Sequence, residues 1–168
     1  MSSLMSKIIK THHGKFHSDE VFGIAKLLQY YPDAHILRGP RTPEFFAGAD
    51  YLVDIGRIFD ILKGKIDHHQ KESPMREELV PYSSFGLIYN YLPEFTEKNT
   101  DWAKQVDAQF VRFVDRNESK KVGEDKALFG LGLSNLIGNL NPNFVQEAQE
   151  GTKAADKQFY KALTLQKK

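Results

Sequence analysis

Apolar and polar positions alternate between two periods along the first half of the chain. Residues 7–11 (KIIKT) form a short, β-branched run that reads as a strand and leads into the polar segment HHGKFHSDE. Over residues 18–31, Val21, Ile24, Ala25 and Leu28 fall at i, i+3, i+4 and i+7, the spacing of one helical face. Ser18 is placed to cap this helix, Asp19 and Glu20 suit its positive end, and Pro32 stops it. Further strands are read at 34–38 (AHILR) and 51–55 (YLVDI, closing on Gly56), with a short one at 65–67 leading into DHHQ. Strands separated by helical segments predict a parallel sheet with right-handed crossovers. In such sheets, sites gather beyond the carboxyl ends of the strands.

From about residue 80 the pattern is helical. Ser83 or Ser84 caps a helix that runs to Tyr91 and is ended by Pro93. Thr100 caps a longer one carrying Trp102, Val106, Phe110, Val111, Phe113 and Val114. Asn141-Pro142-Asn143 is a turn, and a last helix over 153–165 places Phe159, Ala162 and Leu163 on one face. No repeat or linker interrupts the chain. The expected fold is α/β, a parallel sheet sandwiched by helices, with a helical C-terminal portion.

Composition narrows the class. With 168 residues, 40% of them hydrophobic, the chain has the length of one domain with a substantial core. Its 23 basic and 22 acidic residues nearly cancel, which excludes a strongly basic nucleic-acid coat. Cysteine is absent, so there is no disulfide framework, thiolate zinc site or cysteine nucleophile. MSSLMSKIIK lacks the apolar core of a signal peptide, and no apolar stretch approaches the ~20 residues that span a bilayer. A soluble, cytoplasmic protein that does not enter membranes is the expectation.

The histidines carry the chemistry. His12, His17 and Asp19 lie between a strand and a helix, so their side chains can converge above the sheet. Imidazole nitrogen and carboxylate oxygen make a mixed donor set suited to Mn²⁺, Zn²⁺ or Fe²⁺. The plain alternative is a polar loop in which Asp19 only complements the helix dipole. Asp54 stands at the end of an apolar strand, where a lone carboxylate is costly to bury unless paired or metal-bound; otherwise it bonds its own turn before Gly56. In Asp67-His68-His69-Gln70, neighbouring side chains point to opposite faces, so one histidine can bind a metal while the other faces a substrate or an acid. Asp115, in FVRFVDRNE, comes at the inner end of a buried helix, and its default is a salt bridge to Arg112 or Arg116. His35, inside an apolar strand, reads as structural. Together His12, His17, Asp19, Asp54, His68 and Asp115 are enough N/O ligands for two metals, which a bridging Asp54 would hold about 3.5–4 Å apart. No dinucleotide fingerprint, P-loop, G-x-S-x-G elbow or HEXXH is present.

THHGKFHSDE, YLVDIG, IDHHQ, SSFGLIY and FVDRN, in this order, resemble the MYG-type branch of the DHH phosphoesterase superfamily. That branch has been labelled metal-dependent protein hydrolase and is linked to 3′–5′ exonuclease activity on RNA. The resemblance covers roughly residues 7–118. It implies a DHH-like α/β metal-binding domain over 1–120, with 121–168 a helical extension packed on it. It further implies that His12 and His17 with Asp54 hold one metal, that Asp19, Asp54, His68 and Asp115 hold the other, and that His69 faces the scissile phosphate. The usual ion is Mn²⁺, with Mg²⁺ or Zn²⁺ as alternatives. The expected activity is two-metal hydrolysis of a phosphoester, in a nucleotide or RNA; the alternative is a metal-binding module acting through partners.

Three features depart from the family pattern. Arg57 follows VDIG where the family usually has glycine, the last motif reads VDRNE, and the chain ends at Lys168, where relatives continue. Such an end suits a short variant or a homodimer that completes the cleft. Local cations for a nucleic-acid substrate would be Arg38, Arg41, Arg57, Lys120 and Lys121.

Overall fold

The computed structural model describes residues 6–119 and 135–165. Five strands form one sheet in the order β2-β1-β3-β5-β4, comprising β1 (Ile8–His12), β2 (His35–Gly39), β3 (Tyr51–Val53), β4 (Phe59–Asp60) and β5 (Lys65–Ile66). β1 pairs in parallel with β2 and β3, and β3 with β5. β4, which hydrophobic pattern alone does not reveal because it is only two residues long, lies antiparallel to β5 at the edge.

Helix α1 (Ser18–Tyr30) crosses from β1 to β2 and packs with α3 (Ser84–Tyr91) over one sheet face. There Ile9, Val53 and Ile66 from the strands meet Ile24, Leu27, Leu87 and Ile88, all fully buried. The opposite face is more thinly covered. The short α2 (Pro43–Phe46) sits there, with Lys10 Nζ donating to the Phe45 and Ala47 carbonyls, while Leu37 remains exposed.

Helix ends follow side-chain chemistry. Ser83, rather than Ser84, caps α3, its Oγ accepting from Gly86 N at 3.1 Å. α1 is entered through His17 instead of Ser18, and the His17 N–H donates to Glu20 Oε1 at 2.9 Å. Thr100 precedes α4 but spends its hydroxyl on the Glu97 carbonyl. The long helix read from residue 100 is continuous but not uniform: α4 (Asp101–Val106) passes through a π-helical turn (Asp107–Val111) into α5 (Arg112–Glu118). Asn143 caps α6 (Phe144–Glu150) with a reciprocal bond to Gln146.

The last helix, α7 (Thr152–Leu165), lies against α1 and the β2 edge. Phe159 meets Phe16 edge to face, Tyr160 donates to the Ile36 carbonyl, and Asp156 pairs with Arg38 at 2.8 Å. One expectation fails locally: His35 is exposed, not a structural core histidine. Trp102, on the long helix, is more than half exposed. No described helix is long and apolar enough to cross a membrane.

Candidate metal centre

Because β1, β3 and β5 run parallel and in register, their carboxyl ends open at one rim of the sheet. β1 delivers His12, the turn after β3 delivers Asp54, and the segment after β5 delivers Asp67, His68 and His69. The first turn of α1 brings Asp19 and Glu20 to the same rim, and the start of α3 adds Ser83 and Ser84.

Asp54 is the hub. It is 2% exposed and held at φ 57, a left-handed conformation that Asp tolerates better than most residues. Its Oδ2 lies 3.2 Å from His12 Nε2, and its Oδ1 lies 3.3 Å from His68 Nε2 and 3.4 Å from His69 Nδ1. Ser84 Oγ donates to the same Oδ1 at 3.3 Å. Burial works to raise the Asp54 pKa, but the facing His12 and His68 overcome it and hold the carboxyl at about 2.

Both inner histidines have one nitrogen aimed at carboxylates. His12 Nδ1 lies 3.0 Å from the His13 carbonyl, which can only accept, so Nδ1 carries a proton and Nε2 is the nitrogen left to face Asp54 and Glu20. With Nδ1 committed to that carbonyl, Nε2 is the atom a metal would take in place of its proton. His68 Nε2 lies 3.3 Å from Asp19 Oδ2 as well as from Asp54. Against burial, which lowers them, these carboxylates lift His12 to about 10 and His68 to about 11. His69 points outward, half exposed, with Nδ1 bonded to Asp67 Oδ1 at 2.7 Å, a contact that raises its pKa. Asp67 also accepts from the backbone of Arg57, His68 and His69, and so fixes the whole DHH turn.

The donor set fits cations. Donor atoms of His12, His17, Glu20 and Asp54 lie within 4.8 Å of one another, as do those of Asp54, His68 and His69, and those of His17, Asp19 and Glu118. Asp19 and Glu20 are essentially buried, yet Asp19 Oδ1 and Glu20 Oε2 have no hydrogen-bond donor. Burial and the neighbouring Asp19 and Asp54 push Glu20 well above the usual carboxylate range, with His12 only partly offsetting them. Buried carboxylates of this density are costly without counter-charge, and unpartnered hard oxygens beside imidazole nitrogens are what Mn²⁺, Mg²⁺ or Zn²⁺ sites supply.

The sequence-derived set is largely gathered. His12, His17, Asp19, Asp54 and His68 converge, and His69 borders them. Asp115 stands apart. Arg76 Nε donates to its Oδ2 at 2.6 Å, and Ser83 N and Oγ donate to its Oδ1 at 2.9 and 2.6 Å. The salt-bridge partner is thus Arg76, not Arg112 or Arg116, and Arg112 pairs with Glu78 instead. Arg76 is distant in sequence, so helical spacing could not reveal it. Two carboxylates were missed. Glu20 read only as a dipole complement, and Glu118 sits one helical turn beyond Asp115. Of the candidate phosphate-binding cations, Arg38 is consumed internally, donating to the His12 and Gly14 carbonyls and pairing with Asp156. Arg41 and Arg57 are exposed, and Lys120 and Lys121 lie outside the described residues.

A family model described as Uncharacterised protein family (UPF0160), MYG1 exonuclease, matches residues 8–168. The chain is 31% identical over 167 residues to a MYG1 exonuclease of Bos taurus, covering 84% of this chain and 44% of the relative. It is 30% identical over 175 residues to a MYG1 exonuclease of Homo sapiens, covering 88% and 46%. A MYG1 protein of Saccharomyces cerevisiae, YER156C, is 28% identical over 176 residues, covering 89% and 52%. The chain therefore spans about half the length of these relatives. No solved structure matches it significantly.

Proposed function

This chain belongs to the MYG1 exonuclease family, UPF0160, and from that premise we propose that it is a divalent-metal-dependent phosphoesterase acting on phosphodiesters of nucleotides or RNA. The observation that carries the reading is Asp54, whose two carboxylate oxygens face separate histidine groups across a buried rim, with one oxygen of Asp19 and one of Glu20 left without a hydrogen bond beside it. His12, His17 and Asp54 would hold one cation, with Glu20 beside it, and Asp19, Asp54 and His68 a second. Mn²⁺ is our choice of ion, with Mg²⁺ or Zn²⁺ as alternatives. Bound there, such cations supply Lewis acidity, drawing charge from phosphate oxygens and acidifying water.

The chain's own residues divide the remaining work. Asp54 fixes the spacing of the two halves because one oxygen serves each. Ser84 Oγ donates to one of those oxygens and helps to hold the carboxylate in place. Asp67 occupies His69 Nδ1, so Nε2 is the nitrogen from which His69 can offer a proton to a phosphate or leaving oxygen. Arg38 ties the His12–Gly14 segment to β2 through two carbonyls, so His12 enters the rim on a fixed backbone. The helical tail belongs to the same unit in this reading, an extension of the 1–120 domain supported by the Phe16–Phe159 and Arg38–Asp156 contacts.

Metal analysis of the purified protein, followed by Mn²⁺-supplemented assays on a generic phosphodiester and on short RNA oligonucleotides, tests the proposal. Bound metal together with hydrolysis is the expected outcome. Metal uptake with no hydrolysis of any substrate would make the chain a binding module instead.

A further inference from the structure

We infer that Glu118, and not Asp115, completes the cation-binding set beside Asp19; the inference rests on the metal-centre reading above. Asp115 is fully buried and already saturated. Its Oδ2 takes the Arg76 Nε–H, and its Oδ1 takes both donors of Ser83. It is also wedged against α3, since a side chain at Gly86 would collide with the Asp115 carboxylate. Arg76 is pinned in turn by two bonds to Asp107, at 2.7 and 2.8 Å. To reach a cation, Asp115 would have to abandon a buried guanidinium and strip the residue that caps α3, leaving both unsatisfied.

Glu118 has none of these commitments. It lies three residues further along α5, hence on the same helical face but one turn nearer the start of α1. Its carboxylate reaches Ser18 Oγ, which donates at 3.1 Å, and groups with His17 and Asp19 so that one donor atom from each falls within 4.8 Å. The independent sign that a ligand belongs here is Asp19, 1% exposed with Oδ1 lacking any donor, while its Oδ2 is taken by Ser84 N and His68. Added to Asp19 and Asp54 around the single imidazole of His68, Glu118 makes an oxygen-rich set, which suits Mn²⁺ or Mg²⁺ better than Zn²⁺. His17, partly exposed, borders this set on its solvent side. In this chain the glutamate therefore takes the place that motif matching gives to the aspartate.

Equilibrium Mn²⁺ binding to metal-stripped protein, read by the electron paramagnetic resonance of free Mn²⁺, decides it. Glu118→Gln should lose one equivalent of Mn²⁺, or bind it at least about tenfold more weakly, with an unchanged circular dichroism spectrum and melting curve. Ser83→Ala, which removes one Asp115 contact while keeping the backbone, should melt earlier yet bind the full complement. Glu118→Gln binding Mn²⁺ as the wild type does would overturn the inference and leave the wider metal centre standing. Wild-type protein that takes up none of Mn²⁺, Mg²⁺ and Zn²⁺, the last two read by metal analysis after dialysis, would remove both.

Discussion

Asp67 Oδ1 lies 2.7 Å from His69 Nδ1, and this one contact both orients the outward histidine and keeps it protonated above its ordinary range. The hydrogen bond to Asp67 is the larger influence, and burial opposes it. If His69 donates a proton, activity should fall as pH rises through its pKa. Asp67→Asn keeps an acceptor but removes the charge, so the alkaline limb of the pH–rate profile should move to lower pH. A limb that stays in place would show that His69 is not the acid.

Asp54→Asn is expected to abolish turnover, by about 10²–10³-fold or more, without unfolding the chain. The backbone at this position is left-handed, with φ 57, and Asn tolerates that conformation as well as Asp does. Circular dichroism should therefore match the wild type while hydrolysis of the generic phosphodiester disappears. Wild-type rates in this variant would exclude Asp54 from the chemistry.

Arg57 occupies a second left-handed position, φ 56, immediately after Gly56, and its backbone N–H donates to Asp67 at 2.7 Å. Glycine would keep that bond and relieve the clash between Cβ and the carbonyl oxygen. Arg57→Gly should therefore stabilise the protein by about 0.5–1 kcal/mol, raising the melting temperature by roughly 1–4 °C. A lower melting temperature would mean that the Arg57 side chain makes a contact stronger than the strain.

Arg76 also sets an acid limit to stability. Burial alone would raise the Asp107 pKa, but the bonds from Arg76 and Asn90 depress it below the ordinary carboxylate value. The stabilisation is complete above the unfolded pKa of about 4 and is lost as pH falls through the lower folded value. Urea midpoints measured from pH 6 down to pH 2 should drop for the wild type. Asp107→Asn should begin lower, by about 1–3 kcal/mol, and decline less steeply. Parallel curves would place the acid sensitivity elsewhere.

The sequence alone carried four of the five strands, the longer helices and most of the rim, but not β4, α2 or α6. Strand and helix periods are local properties, and parallel strands open at a shared end, so His12, Asp54 and His68 could be assigned to one place from their positions just after apolar runs. His17 and Asp19 followed because a short loop and a helix start leave few directions to point. Tertiary structure alone decided the fate of the carboxylates on the later elements. Asp115 and Glu118 share a helical face, and periodicity cannot say which one faces the rim. That choice belongs to Arg76, 39 residues from Asp115, whose guanidinium claims the nearer acid because a buried charge must meet its opposite wherever the fold brings it. Glu20 was hidden for the same reason. A first-turn glutamate normally faces water, and only the packing of α1 against the sheet rim and α3 turned this one inward.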